Sequence, residues 1–337
     1  MDASFTAIVC APEIPATVAA ALVGRAAGGQ AEALVFRSEE LPRFFEHTVQ
    51  QKLPRGYGLV ICGLDVVHID WDGRLVRPAL MERLRKFVGS VRWYSAAPWE
   101  PEDRRAIAHM IGEENLLVSG TADSVAALVW ERCFGPDAEY ERALAQFASG
   151  DLPPSEEEAW GADLRRVIAA LKGDRHALES VVAAMMVEDV EAVIAEHGTE
   201  AERVERENRQ FVRENAEEAR RMGTMELVWL GLPPERHAFW AEMGAYAREA
   251  ADAELSLCHL QGRPVILLCR GPGLRVDLRV WMRYVTDLLP AARTAGAKPD
   301  VVPLVVDGLN DDPGLKREVL SLLGDGAHLL RNQIAPQ

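Results

Sequence analysis

Long apolar runs, cysteine pairs and an excess of positive charge are all missing from this chain of 337 residues. No apolar stretch approaches the about 18 residues that a transmembrane helix needs, and no basic segment precedes an apolar one at the N-terminus. The sequence therefore predicts neither a membrane span nor a secretory signal. Asp and Glu (52) outnumber Lys and Arg (37), giving a formal net charge of −15. Such a surface repels nucleic-acid backbones overall, although it leaves room for a local basic cleft.

Cysteine usage is typical of a reducing compartment. The five cysteines are odd in number, lie far apart and form no Cys-x-x-Cys motif. Three of them, Cys10, Cys62 and Cys269, end short apolar runs. Buried free thiols are the expected form, and we expect a cytoplasmic protein.

The first part of the chain alternates between strand and helix patterns. Short apolar segments at 5–10, 32–37, 57–62, 90–95 and 115–119 alternate with helical patterns at 16–29, from 38, and at 79–89, 101–112 and 121–135. Short apolar strands separated by helices indicate a parallel sheet with helices on both faces. The expected fold class is α/β, with an N-terminal Rossmann-like domain.

The remainder divides into a helical region and a second alternation. Residues 137–222 read as helical, and 199–223 form one long pattern with charges of both signs, typical of a solvated connecting helix; the alternative is a hinge or partner surface. From 225 come a strand, a helix at 234–251, a hairpin with a glycine turn, a helix at 276–289 and a last strand at 300–309. We therefore predict domains at 1–189 (sheet about 1–135, helices 136–189) and 225–337, joined by a connector at 190–224.

Two polar segments are candidate sites. Asp65, His68, Asp70 and Asp72 stand close in sequence and offer oxygen and nitrogen ligands for Mn²⁺ or Mg²⁺. The same stretch also fits an exposed hairpin with an Asp-Gly turn at 72–73. Arg270, in a Cys-Arg-Gly-Pro-Gly segment, is a candidate phosphate ligand or a surface arginine in a plain turn.

The segment 91–107 resembles a known family in its frame. A strand containing Trp93 leads into Ser95, Ala96 and Ala97, and then into Pro98 and Trp99. This frame resembles the DHH phosphoesterase superfamily, in which a strand leads into Asp-His-His-Pro. Ser-Ala-Ala stands where Asp-His-His is expected.

Other positions of the family pattern are matched in part. The resemblance places Glu13 in the first ligand loop, Asp65 at the end of the strand before the Asp-His-His strand, and Asp151 at a later ligand position. In the C-terminal part, Arg270 and Asp277 match a strand-ending arginine and an Asp-bearing helix start. Pro290 and Ala291, in the segment 288–297, stand where the family has Gly-His.

The resemblance implies two-metal hydrolysis of phosphoesters, but the ligands are mostly missing. Alanine has no donor atom and neutral serine is a poor ligand, so the leading hypothesis is a pseudoenzyme without a cofactor. It would bind a nucleotide, a short oligonucleotide or a protein partner in or near an interdomain cleft. An active Mn²⁺- or Mg²⁺-dependent phosphodiesterase or phosphatase, rebuilt around Asp65, His68, Asp70 and Asp72, is the alternative.

A third hypothesis is a subunit of a homodimer or another oligomer. Segments around Trp229, Trp240 and Trp281 would then form exposed apolar patches, whereas core packing is the simpler interpretation. An unrelated α/β protein also remains open.

Overall fold

A computed structural model describes residues 6–28, 31–48, 58–68, 70, 72, 74–87, 89–223, 225–294 and 300–327. The chain forms two compact units. The first comprises residues 1–66 and 76–203, and the second comprises 67–75 and 204–337.

A parallel sheet of five strands forms the centre of the first unit. Its strands are β1 (Thr6–Cys10), β2 (Ala31–Val35), β3 (Gly58–Cys62), β4 (Ser90–Ser95) and β5 (Leu116–Val118). They lie in the order β2-β1-β3-β4-β5, and every pair is parallel, as the alternating pattern predicts. Four residues of β1 and four of β3 are buried, because helices cover both faces of such a sheet.

Seven helices of eight or more residues begin in the described part of the first unit before the connector. They are α1 (Ile14–Ala26), α2 (Arg77–Lys86), α3 (Pro101–Ile111), α4 (Val125–Cys133), α5 (Glu139–Ser149), α6 (Ala162–Leu171) and α7 (Arg175–Val187). Short helical turns fill 38–48, 113–115 and 154–161. Side-chain caps begin two of these helices: Ser124 Oγ accepts the N–H of Ala127, and Asp174 accepts those of His176 and Ala177.

The long connecting helix differs from its sequence prediction. Helix α8 runs over Val190–Asn215, so it begins before 199 and ends well before 223. It ends there because Ala216 forms a bridge with Leu230, and the following residues join a sheet. The helix is also not fully solvated, because Ala201, Asn208 and Val212 are buried along its length.

The sheet of the second unit is mixed. Its strands are β6 (Arg220–Met222), β7 (Met225–Leu232), β8 (Leu255–Leu260), β9 (Val265–Arg270), β10 (Ala292–Thr294) and β11 (Val301–Val306), in the order β10-β11-β9-β8-β7-β6. Strands β7 and β8 are parallel, and helix α9 (Trp240–Ala251) lies between them in the chain. Strands β8 and β9 form the expected antiparallel hairpin. Gly262 in its turn adopts a φ of 80°, which favours glycine.

Both faces of this second sheet are covered. Helices α10 (Leu278–Leu288) and α11 (Pro313–Gly326) contribute to the core on one face, and α9 contributes to the core on the other. Trp281 is fully buried and donates Nε1–H to the carbonyl of Leu323 at 2.9 Å. Trp229 is also buried and Trp240 is half-buried, so Trp229 and Trp281 belong to the core and not to an exposed patch.

The sequence also makes predictions about membrane-spanning helices and about cysteine thiols. Among the helices that the structure describes, none is long and apolar enough to cross a membrane. Cys10, Cys62, Cys258 and Cys269 are buried free thiols, as expected, whereas Cys133 is exposed.

Candidate functional site

Three side chains meet where β3 and β4 end. Asp65 follows β3, Ser95 is the last residue of β4, and Trp99 lies in the loop after β4. The hydroxyl of Ser95 donates to Asp65 Oδ1 at 2.6 Å, and the indole Nε1–H of Trp99 donates to the same oxygen at 3.2 Å. The carboxyl ends of parallel strands lie at one edge of a sheet, and ligands of open α/β sheets bind there. We call these three residues the Asp65 cluster.

Neighbouring groups hold the Asp65 cluster in place. Trp93 packs edge-to-face against Trp99, with ring centroids 5.1 Å apart, and donates its own Nε1–H to the carbonyl of Leu64 at 2.7 Å. The N–H of Asp65 donates to Ser38 Oγ at 2.9 Å, and the N–H of Ala97 donates to Ser95 Oγ at 3.1 Å. Backbone and side chain are therefore both fixed around the carboxylate.

The donor set at this edge does not fit a pair of metal ions. One oxygen of Asp65 already accepts two hydrogen bonds, and the methyl groups of Ala96 and Ala97 provide no donor atoms. Glu13 lies exposed at the start of α1, and Asp151 lies exposed after α5. Within the described ranges, no group of three or more His, Cys, Asp or Glu side chains has the arrangement of a metal site.

The start of α1 is also a poor anion site. Pro12 and Pro15 have no N–H, and the N–H of Ala16 donates to the carbonyl of Glu13 at 3.1 Å. A helix N-terminus binds phosphate through free N–H groups, so few of them are left here.

The segment with His68, Asp70 and Asp72 forms a local loop. Asp70 Oδ1 accepts the N–H groups of Asp72 at 2.9 Å and Arg74 at 2.8 Å, and the N–H of Asp70 donates to the carbonyl of Arg74. This side-chain arrangement is typical of a tight turn and uses the carboxylate of Asp70 for the backbone. Gly73, the second residue of the proposed turn, lies outside the described residues. His68 and Asp72 are exposed. A metal site built from this segment stays a prediction.

Arg270 is the last residue of β9, and its guanidinium bends back onto its own loop. Its Nη1 donates to the carbonyl of Leu274, while its buried Nε has no hydrogen-bond partner within the described residues. Asp277 caps α10 by accepting the N–H of Arg279, and the guanidinium of Arg279 lowers the pKa of Asp277. Phosphate binding by Arg270 also stays a prediction.

The sequence did not indicate the role of Trp99, which is to donate a hydrogen bond to Asp65 at the candidate site. Its position after Pro98 suggested only an aromatic residue of the family frame, and not a donor to Asp65. The contact between Trp99 and Asp65 can be recognised only once the pairing of β3 with β4 is known, because the two residues are 34 positions apart in the sequence.

Comparisons with known proteins identify the fold. No protein-family model matches the chain, and no curated protein matches it in sequence. A DHH-domain member of the s1p family of ribosomal proteins has a similar structure, with a TM-score of 0.64, 11% identity, and coverage of 96% of this chain and 86% of that one. An exonuclease RecJ bound to manganese has a TM-score of 0.56 and 11% identity, covering 94% and 89% of the two chains.

The two similarities agree with the geometry of the strands and helices. This is a mixed α/β protein with a parallel five-stranded sheet and a second, mixed sheet. Its fold is that of the DHH-domain proteins, as the frame around Ser95 suggests. At 11% identity, the similarity shows the fold alone.

Proposed function

We propose that this chain is a DHH-fold protein that has lost metal-dependent phosphoester hydrolysis and acts by binding. The observation that carries this proposal is the Asp65 cluster. At the ends of β3 and β4, a hydroxyl and an indole N–H occupy one oxygen of the carboxylate. Two alanines provide no ligand where the family has imidazoles.

The chemistry of a two-metal site explains why these replacements matter. Two divalent ions activate a water molecule and stabilise the charge of the phosphoryl transition state. They need several carboxylates and imidazoles that converge on one place. A metal ion at Asp65 would compete with the hydrogen bonds of Ser95 and Trp99, and it would gain no ligand from Ala96 or Ala97.

The proposed ligand is a phosphate-containing molecule, such as a nucleotide or a short oligonucleotide, or a protein partner. The net charge of −15 disfavours long nucleic acids, because every added phosphate is repelled by the acidic surface. An oligonucleotide is included because the exonuclease RecJ has a similar fold. The similarity to RecJ is one of fold alone.

Metal titration tests the proposal directly. Metal-stripped protein is titrated with Mn²⁺ by calorimetry, and the same sample is assayed for hydrolysis of a dinucleotide and a model phosphodiester. We expect no binding up to about 1 mM Mn²⁺ and no turnover, because at least two imidazole ligands are missing.

Two single-residue variants make the test specific. An active enzyme would bind about two ions and hydrolyse the dinucleotide, and both properties would be lost in Asp65→Asn. In His68→Gln, ion binding and hydrolysis would both be kept, unless the segment around Asp70 provides the metal ligands. Hydrolysis that depends on Asp65 would overturn the proposal, and a loss in His68→Gln would favour the rebuilt metal site.

A further inference from the structure

Arg248, on α9, holds its guanidinium half-buried against the second sheet. Its Nη1 donates to the hydroxyl of Ser256 at 2.6 Å, and Ser256, on β8, is fully buried. This bond fixes the plane of the guanidinium. Within the described residues, it is the one hydrogen bond of the Arg248 side chain, and no ion pair accompanies it.

Among the described residues, no carboxylate pairs with Arg248. Burial lowers the pKa of this guanidinium, and the titratable groups that act on it are the thiols of Cys258 and Cys269. Burial raises the pKa of both thiols, so they are neutral at physiological pH. Removing a guanidinium partly from water is unfavourable unless its donors are satisfied. A half-buried guanidinium with donors left over is therefore a candidate ligand for an anion.

The open edge of the Arg248 guanidinium has a geometry that suits an anion. With Nη1 bonded to Ser256, the Nε and Nη2 groups form a pair of parallel donors. Within the described part of the chain, neither atom is a fully buried polar atom without a partner, so both keep some contact with solvent. Two parallel N–H groups of arginine match the two oxygens of a carboxylate or phosphate.

Gly271 keeps this edge uncovered. It follows β9, and its N–H donates to the carbonyl of Glu254 at 2.8 Å, which fixes it beside Arg248. A Cβ atom at this position would lie 3.7 Å from Arg248 Nε. A side chain here would therefore contact Nε of Arg248, and glycine leaves this side of the guanidinium open.

We propose that Arg248 and Gly271 form an oxyanion site, which binds a phosphate or carboxylate group across Nε and Nη2 of Arg248. The site is built within the second unit and does not depend on the loss of metal chemistry at the Asp65 cluster. It also differs from the candidate that the sequence offers, because the neighbouring Arg270 directs Nη1 to the carbonyl of Leu274.

Binding of simple anions to the full chain tests the site. The protein, labelled with ¹⁵N at arginine, is titrated with inorganic phosphate and, separately, with succinate, with sodium chloride at matched ionic strength as the reference. We expect about millimolar binding of at least one anion and a shift of the Arg248 Nε resonance. Binding of phosphate alone, of succinate alone, or of both supports the site and identifies its preferred anion.

Three variants distinguish a bidentate site from general attraction to charge. Arg248→Met and Arg248→Lys should each weaken binding by at least about tenfold, because lysine keeps the charge but not the parallel donors. Gly271→Ala should weaken it while leaving the arginine in place, since the new methyl group contacts Nε and narrows the space for an anion beside it. Arg283→Met, which removes an exposed arginine of α10, is the matched control and should bind like the wild type.

Two results would overturn the proposal. The first is that neither anion shifts the Nε resonance at concentrations of about 20 mM, far above the expected dissociation constant. The second is binding that is equal in the wild type, Arg248→Lys and Gly271→Ala. Arg248→Lys and Gly271→Ala are mild substitutions, so they test the proposal even if Arg248→Met fails to fold.

Discussion

Asp65 acts as a hydrogen-bond acceptor for two side chains and as a backbone donor at the ends of β3 and β4. Its Oδ1 receives a hydroxyl and an indole N–H, and its own N–H is bound by Ser38. Hydrogen bonds to an ionised acceptor are among the stronger ones in proteins, and they are directional. Ser95 and Trp99 thus form a hydrogen-bond network around this carboxylate.

The first prediction concerns Ser95, which both donates to Asp65 and accepts from Ala97 while almost fully buried. Ser95→Ala should lower the free energy of unfolding by about 1–3 kcal/mol, because both partners lose a hydrogen bond. Urea unfolding measures the change. Ser119→Ala is the control, since that hydroxyl makes one exposed contact, with Thr121 at 3.2 Å. Equal losses in the two variants would contradict a structural role for the Asp65 cluster.

At the residue scale, sequence reasoning located positions but not contacts. It selected Asp65 and Ser95 from the frame of the motif, and the structure joins them through one hydrogen bond. It offered no sign of Arg248, because a lone arginine in an amphipathic helix has the pattern of a surface residue. Only the packing of α9 on β8 reveals that its guanidinium lacks an acidic partner among the residues that the structure describes.

At the scale of elements, the sequence predicts the strands that have an apolar pattern and misses two short edge strands of the second sheet. Strands β1 and β3 are apolar, β4 alternates between exposed and buried residues at its start, and all three appear where their patterns place them. Strands β6 and β10 have three residues each and include exposed polar side chains, so they carry no alternating signal. Their position is determined by pairing with β7 and β11, which is a tertiary effect.

The second prediction concerns the junction of β3 with α1. Gly63 has a φ of 68°, and a Cβ there would lie 2.5 Å from Cβ of Ala16 in the helix. Gly63→Ala should therefore cost about 2–4 kcal/mol of stability, because a strained backbone adds to a steric clash. Gly28→Ala is a matched control, with a φ of 69° and no atom within 4 Å of the added Cβ.

Thermal and urea unfolding of Gly63→Ala and Gly28→Ala separate the contribution of backbone strain from that of the steric clash. The control reports the backbone strain alone, about 1 kcal/mol, and the difference reports the contact between strand and helix. A Gly63→Ala protein as stable as Gly28→Ala would show that β3 and α1 do not pack as closely as described. Because Gly63 precedes Asp65 by two residues, the variant would also displace the Asp65 cluster.

For the whole molecule, the sequence predicts the architecture better than the chemistry. Alternating strand and helix patterns suffice to identify a parallel sheet, because burial on both faces demands apolar strands. The site depends on groups that meet only after folding, such as Trp99 with Asp65.

The last prediction is a loss of stability at alkaline pH, which arises from thiols in both units. Cys10, Cys62, Cys258 and Cys269 are buried, and burial raises the pKa of each above 9.0, to about 12 for Cys269. Above pH 9 the unfolded chain therefore loses thiol protons that the folded chain keeps. Stability is fully present below pH 9 and falls as the pH rises, by about 1.4 kcal/mol per pH unit for each such thiol.

Urea unfolding from pH 7 to 10.5 in the presence of a reductant measures this slope, with tryptophan fluorescence as the readout. Cys258→Ala removes one of the buried thiols and should reduce the slope above pH 9 by about 1.4 kcal/mol per unit. The exposed Cys133 provides the matched control, because its partly solvated thiol is held less strongly in the neutral form. Cys133→Ala should therefore change the slope less than Cys258→Ala. If both variants keep the wild-type slope, ionisation of lysines or tyrosines, and not of buried thiols, controls the alkaline transition.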